Sequence, residues 1–215
     1  MRGFRMTALA LLIGAGVFLP AGAATAQRVV IDDGTADVWT AVVGPTVGWG
    51  GDYTADSSVP NVDVVRTTVS YTRTELQVTS EYVELENSGP EPELDTWLKL
   101  SDGGGVFLRA SSDSMLFVTD KTARPGGQFE RGRCPGAKVT FNLRADTGTV
   151  VLPVSCLPGD SGSVKFHGHA LGWEDVARDT WNIWEDSAAD ASYYDNPINR
   201  SCFWKCKGWT KVRLN

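Results

Sequence analysis

Alternation with a period of two constrains this chain more than any other feature of it. In TELQVTSEYVEL, residues 74–85, Leu76, Val78, Ser80 and Tyr82 alternate with Gln77, Thr79 and Glu81. DVVRTTVSYT sets Val65, Thr67, Val69 and Tyr71 against Arg66, Thr68 and Ser70, and KVTFNLR sets Val139, Phe141 and Leu143 against Lys138, Thr140, Asn142 and Arg144. Successive side chains of a strand point to opposite faces, so each segment reads as a strand with one buried and one wet face. Further short strands are expected at 38–43, 97–100, 106–110, 115–119, 149–154, 163–170 and 209–214. Turn-rich breaks such as ENSGPEPELD, SDGGG, ARPGG and RADTGT separate them.

The expected fold class is all-β: a single antiparallel, jelly-roll-like β-sandwich of about ten strands with an irregular C-terminal region. A parallel architecture would need helices between strands, and the one helical candidate is WEDVARDTWNIWEDSAAD, residues 173–190.

The first 26 residues, MRGFRMTALALLIGAGVFLPAGAATA, carry two arginines, an apolar run and a small-x-small ending. That is the pattern of a secretory signal peptide, with residues 27–215 as one exported domain. The apolar run is broken by Gly14, Gly16 and Pro20, and no second apolar span follows, so no transmembrane segment is expected in the mature protein. Loss of Arg2 and Arg5 with the leader takes the formal charge from −6 to −8. An acidic chain of this kind argues against nucleic acid as a partner, because phosphate contacts need clustered positive charge. Residues 196–215 hold five bases and no acids, whereas residues 174–195 hold seven acids and one arginine. The basic tail reads either as lying against that acidic stretch or as a patch for an anionic wall polymer.

Cys134, Cys156, Cys202 and Cys206 all fall in the exported part, and an even count in an oxidising compartment implies two disulfides. KVTFNLR-ADTG-TVVLPV reads as a hairpin turning at residues 146–148, with Cys134 before its first strand and Cys156 after its second. A Cys134–Cys156 bridge would staple its open end, leaving Cys202 and Cys206 to each other.

Four features carry chemistry. GDSG at 159–162 presents Ser161 as trypsin-like proteases present their nucleophile, but both histidines of the chain, His167 and His169, come after it. The general base of such a protease must precede the serine in the chain and reach its hydroxyl, so the block reads as a turn, and no catalytic residue is assigned. His167 and His169 project from one face of a strand, and with Glu174 they resemble the first metal motif of the cupins. The competing reading places them with Lys165 on a wet face opposite Val164 and Phe166. No cofactor is expected, Ca²⁺ being the ion suited to the loop carboxylates Asp32, Asp33, Asp37, Asp52, Asp56 and Asp63. Finally, Trp173, Trp181, Trp184, Trp204 and Trp209 crowd the last fifth of the chain with Tyr193, Tyr194 and Phe203. Trp181, Trp184, Tyr194 and Trp204 are the candidate ligand platform; the alternative is that such rings are buried, each indole N–H finding a partner.

The strand from Asp33 to Trp39, the segment VVRTTVSYTRTELQVTSEYVEL and the CPG–hairpin–Cys element together resemble small secreted bacterial β-sandwich proteins without assigned activity. More remotely they are similar to family 9-like carbohydrate-binding and DOMON-type modules, over about residues 31–166. That resemblance implies a noncatalytic sandwich binding sugar or haem, and no site residue carries over from it. The leading expectation is an extracellular, non-enzymatic module engaging carbohydrate or wall polymer. The second is a metal-dependent enzyme using His167 and His169, and the third a structural or protein-binding role.

Overall fold

The computed structural model describes residues 27–45, 54–101, 104–120, 130–131, 134–157, 162–187 and 210–213. The leader at 1–26, Asp52, Ser161, Tyr194, Cys202, Trp204 and Cys206 lie outside them, and with them the second disulfide. Fourteen strands form among the described residues. They are β1 (Gln27–Asp32), β2 (Trp39–Val43), β3 (Thr54–Ala55), β4 (Val64–Tyr71), β5 (Glu75–Tyr82), β6 (Glu91–Leu100) and β7 (Gly105–Ala110). After them come β8 (Met115–Asp120), β9 (Glu130–Arg131), β10 (Lys138–Asn142), β11 (Thr147–Pro153), β12 (Ser163–Ala177), β13 (Thr180–Ser187) and β14 (Thr210–Arg213). The fold is all-β and every pairing is antiparallel; one of its two sheets is curled into a half-barrel.

A five-stranded sheet runs β1-β4-β5-β11-β10. A nine-stranded one runs β3-β2-β13-β12-β6-β7-β8-β9, with β14 added to β12. Val69, Tyr71, Leu76, Val78, Val150 and Leu152 of the first sheet share one core with Leu94, Leu98, Val106, Leu108, Val164 and Phe166 of the second. Leu76, Val78, Ser80 and Tyr82 are all buried, as their alternation requires. In β4 the register shifts between Val64 and Arg66, so Val64 and not Val65 enters the core ahead of Thr67. The same expectation fails at Leu143, which leaves the ladder at the end of β10 and lies exposed. There the Asn142 side chain accepts the amides of Arg144 (3.1 Å) and Ala145 (3.2 Å), turning the chain two residues early. Across the gap between the sheets, a Cβ at Gly148 would stand 2.9 Å from Leu94, so a side chain there would push the layers apart.

Cys134 and Cys156 are joined, with Cα atoms 5.3 Å apart, and close the β10–β11 hairpin as expected. A loop of this length is worth about 3 kcal/mol in the chain-entropy picture.

Two expectations are corrected by the long strands of the larger sheet. Residues 173–187 of the expected helix are strand instead: β12 and β13 form a hairpin turning at Arg178–Asp179, with Asp179 in the left-handed region (φ 57°). Trp173 faces Ile183 across the ladder, and Ala41 and Val43 of β2 pack beside them with Trp181. That apolar cluster forms only if alternate residues share a face, and β-branched and aromatic residues favour the pleated surface. Likewise β6 begins at Glu91, inside the segment expected to be a break. Its Pro92 sits opposite Gly172, whose missing side chain leaves room for Pro90 and Val62.

Candidate functional site

β6 is polar on one face and apolar on the other. Leu94, Thr96, Leu98 and Leu100 are buried beneath it, and Glu91, Glu93, Asp95, Trp97 and Lys99 alternate on the opposite face. Antiparallel register sets Trp173 of β12 across from Glu91, and Asp175 lies across from Trp181 of β13. The turn between β7 and β8 closes the end of this row. Ser111 donates its amide to the Ser114 carbonyl (3.0 Å). Its hydroxyl meets that of Ser114 (2.9 Å) and donates to Asp113 Oδ1 (3.0 Å), while the Ser112 hydroxyl donates to Glu91 (2.7 Å). The result is a cleft of about 380 Å³ between two indoles, those of Trp173 and Trp181, walled by Glu91, Glu93, Ser111, Asp113, Ser114 and Asp175. That volume falls within the range of small-molecule sites.

One wall of the cleft is held rigidly. Arg109 on β7 reaches Asp95 with both arms of its fork (2.9 and 2.8 Å) and lies 2.8 Å from Glu93. The same Glu93 oxygen accepts the Trp173 indole N–H at 3.3 Å, and the guanidinium stands 5.7 Å from the Trp173 ring centroid. The ring is thereby fixed by a hydrogen bond at its edge and a cation beside it. Burial pushes the Glu93 carboxyl up to about 6, with the neighbouring Asp95 and Glu91 adding to the rise and Arg109 opposing it. Burial also raises Asp95, against the pull of Arg109.

Of the proposed aromatic platform, Trp181 lines this cleft. Trp184 does not: it is 8% exposed, belongs to the main core and donates its indole N–H to Asp56 (3.0 Å). Register puts it on the face of β13 opposite to Trp181's neighbour Ile183, so the two tryptophans cannot share a platform. Tyr194 and Trp204 lie outside the described residues.

The strand parts His167 from its expected carboxylate. His167 is 1% exposed, not on a wet face, and its neighbour in register is the large Trp97, whose ring lies tilted against Phe107 with centroids 4.1 Å apart. Glu174 is seven positions farther along a strand paired continuously with β6, which separates it from His167 by about 23 Å. It is exposed and accepts from Asn182 (3.4 Å) instead. The backbone of His169 pairs with Asp95 and Ser187. The chain leaves the 3-10 turn at Cys156 and enters β12 at Ser163, so the GDSG block links these two elements.

The loop carboxylates divide. Asp32 pairs with Arg66 on the surface (2.7 Å), and Asp56 is occupied by Trp184 and by the amide and hydroxyl of Ser58. Those bonds from Ser58 and Trp184 lower its pKa. Asp37 and Asp63 instead converge with Asp186 of β13, which had drawn no attention in the sequence. Asp186 rises well above the ordinary carboxylate range through burial, against the Val64 amide, with Asp33, Asp37 and Asp63 adding to it. Burial raises Asp63 as well, with Ala36 opposing and Asp37 adding.

No family model matches the chain, and no curated protein or solved structure matches it. The likeness to carbohydrate-binding and DOMON-type modules therefore has no support from relatives.

Among the described residues no helix is long and apolar enough to cross a membrane. The residues missed at the cleft are Glu91, Glu93, Arg109, Ser111, Asp113, Ser114 and Asp175, and Trp173 stood among the aromatics without entering the expected platform. A signal existed for the first two: in EPELDTWLKL the acids recur with period two ahead of Trp97, marking a polar strand face where a loop had been expected.

Proposed function

We propose that this chain is an exported, noncatalytic β-sandwich module that binds carbohydrate in the cleft between Trp173 and Trp181. The observation that carries the reading is the convergence of two indoles with carboxylates and serine hydroxyls in one hollow of about 380 Å³. A pyranose ring has an apolar C–H face that suits the negative face of an aromatic ring, and hydroxyls that donate to carboxylates. Trp173 is pre-positioned by Glu93 and Arg109, so little side-chain entropy is lost when a ligand stacks on it. The Cys134–Cys156 bridge is in keeping with an oxidising compartment.

The charge of the walls narrows the ligand. Among the described residues Glu91, Glu93, Asp113 and Asp175 line the cleft, and the base in its wall, Arg109, is taken up by Glu93 and Asp95, which favours neutral or amino sugars over an anionic wall polymer. The test is a tryptophan-fluorescence titration of the mature protein with chitotetraose after deacetylation, cellotetraose and polygalacturonate. The first two should bind and the third should not. Trp173→Ala should weaken binding by about tenfold or more, since aromatic anchors dominate such sites. Equal binding of polygalacturonate, or a Trp173→Ala protein with unchanged affinity, would refute the reading.

A further inference from the structure

The loop that follows β1, Asp33-Gly34-Thr35-Ala36-Asp37, doubles back on itself. Asp33 Oδ1 accepts the Gly34 amide (2.9 Å), and Ala36 adopts a left-handed conformation (φ 65°) uncommon for a residue with a Cβ. In that conformation the Ala36 amide donates to Asp63 Oδ2 at 2.7 Å, drawing the loop onto the start of β4. One residue on, the Val64 amide, at the β4 bulge, donates to Asp186 Oδ2 at 2.6 Å and joins β4 to β13 of the other sheet. Three segments far apart in sequence thus bring one carboxylate oxygen each, from Asp37, Asp63 and Asp186, within 4.8 Å of one another.

Two further observations point to a missing partner. Asp63, only 4% exposed, keeps its Oδ1 buried without a hydrogen-bond partner, and so does Asp37 its Oδ1. Tyr82, also 4% exposed, has a buried hydroxyl without a partner, and the Asp186 charge acts on it. Such groups are rare in folded proteins unless something from outside satisfies them. Among the described residues the charged groups acting on Asp186 are Asp33, Asp37 and Asp63, all negative, and Asp186 is 1% exposed. Acids buried together are relieved either by a shared proton or by a cation.

We propose that Asp37, Asp63 and Asp186 bind one Ca²⁺ ion that ties the 33–37 loop to both sheets. Oxygens held at about 2.4 Å from a common ion cannot stand more than about 4.8 Å apart, and these three meet that limit. The donors are all oxygens, which selects a hard cation over Zn²⁺ or copper. Three carboxylates with a hydroxyl nearby leave open positions for water, which suits the adaptable six- to eight-fold shell of Ca²⁺.

The experiment uses the chain purified from a secreting host and stripped with EDTA, followed by calorimetric titration with CaCl₂ and, separately, MgCl₂. About one Ca²⁺ should bind per chain, and 1 mM Ca²⁺ should raise the thermal midpoint by about 5 °C or more. Asp37→Asn lies on the half-buried loop, where the protein can fold without it, and should cut Ca²⁺ affinity at least tenfold while abolishing the thermal shift. No saturable heat and no shift with Ca²⁺ would overturn the proposal. So would Mg²⁺ binding as tightly as Ca²⁺, or an Asp37→Asn protein that responds to Ca²⁺ as the parent does.

Discussion

Asp95 and Asp186 are both buried aspartates of the larger sheet, one on each of its faces. Asp95 looks outward toward the cleft and is met by both arms of the Arg109 fork. Asp186 looks inward, meets one backbone amide from the other sheet, and is otherwise surrounded by the negative charges of Asp33, Asp37 and Asp63. The difference separates a self-contained polar network from an incomplete one. Fold and site are both finished around Asp95 by residues of the chain, and Arg109 serves cleft geometry and charge balance together. Around Asp186 the described residues supply one amide and further carboxylates, and no cation.

The largest effect should come from removing the cation that completes the first network. Arg109→Met keeps much of the aliphatic bulk but strands Asp95, and breaking one partner of a buried pair costs about 3–5 kcal/mol. Denaturant melts of the two proteins at neutral pH would measure it. A loss below about 1 kcal/mol would mean that Asp95 is carried as the neutral acid, and the two faces would then differ less than their geometry implies.

A smaller effect is built into Glu93, which belongs to the same network and also lines the cleft. Burial raises its carboxyl from 4.5 to about 6 in the folded chain. The folded state therefore holds this proton more tightly than the unfolded one. Its contribution is complete below about pH 4.5 and is lost as the pH rises through 6, a difference of about 2 kcal/mol. Stability measured from pH 4 to 7 should fall more in the parent than in Glu93→Gln, which carries no titrating group there. Amino-sugar binding should strengthen over the same interval as the cleft gains a charge. Parallel pH profiles for the two proteins would place the proton elsewhere.

How much of this was legible in the sequence depends on how far apart the partners lie. Alternation in 64–82 located β4, β5 and their buried faces, because a strand's sidedness is written in adjacent residues. It erred at Val65, where a bulge shifts the phase by one residue, and at Leu143, where a side-chain-capped turn ends the ladder two residues early. The segment WEDVARDTWNIWEDSAAD reads as helical because Trp173, Ala177, Trp181 and Trp184 are also spaced about a helical turn apart; over its described part, 173–187, tertiary pairing with β2 and β6 decides for strand. Of the acidic trio, Asp37 and Asp63 stood out in glycine-rich acidic loops. Asp186 did not, since WEDSAAD reads as surface and its partner Val64 is 122 positions away. The cleft shares that limit: Trp173 meets Glu93 across 80 positions, a pairing no local pattern encodes.

The smallest effect gives the sharpest comparison, because its sign should reverse. Asp63→Asn retains an oxygen able to accept the Ala36 amide, now bonded to Asp63 Oδ2 at 2.7 Å. It replaces the other oxygen, which has no partner, with an N–H₂ directed toward the remaining carboxylates. In EDTA this removes one of several like charges and adds a donor, so the variant should be more stable than the parent by about 1 kcal/mol. In millimolar Ca²⁺ it removes a ligand, and the variant should be the less stable of the two. Thermal melts in the two buffers report both signs. Stabilisation in EDTA that persisted undiminished in Ca²⁺ would mark the inner carboxylates as repelling but uncoordinated. Destabilisation in EDTA would show that they already share a proton, which would make Asp186 as well provided for as Asp95.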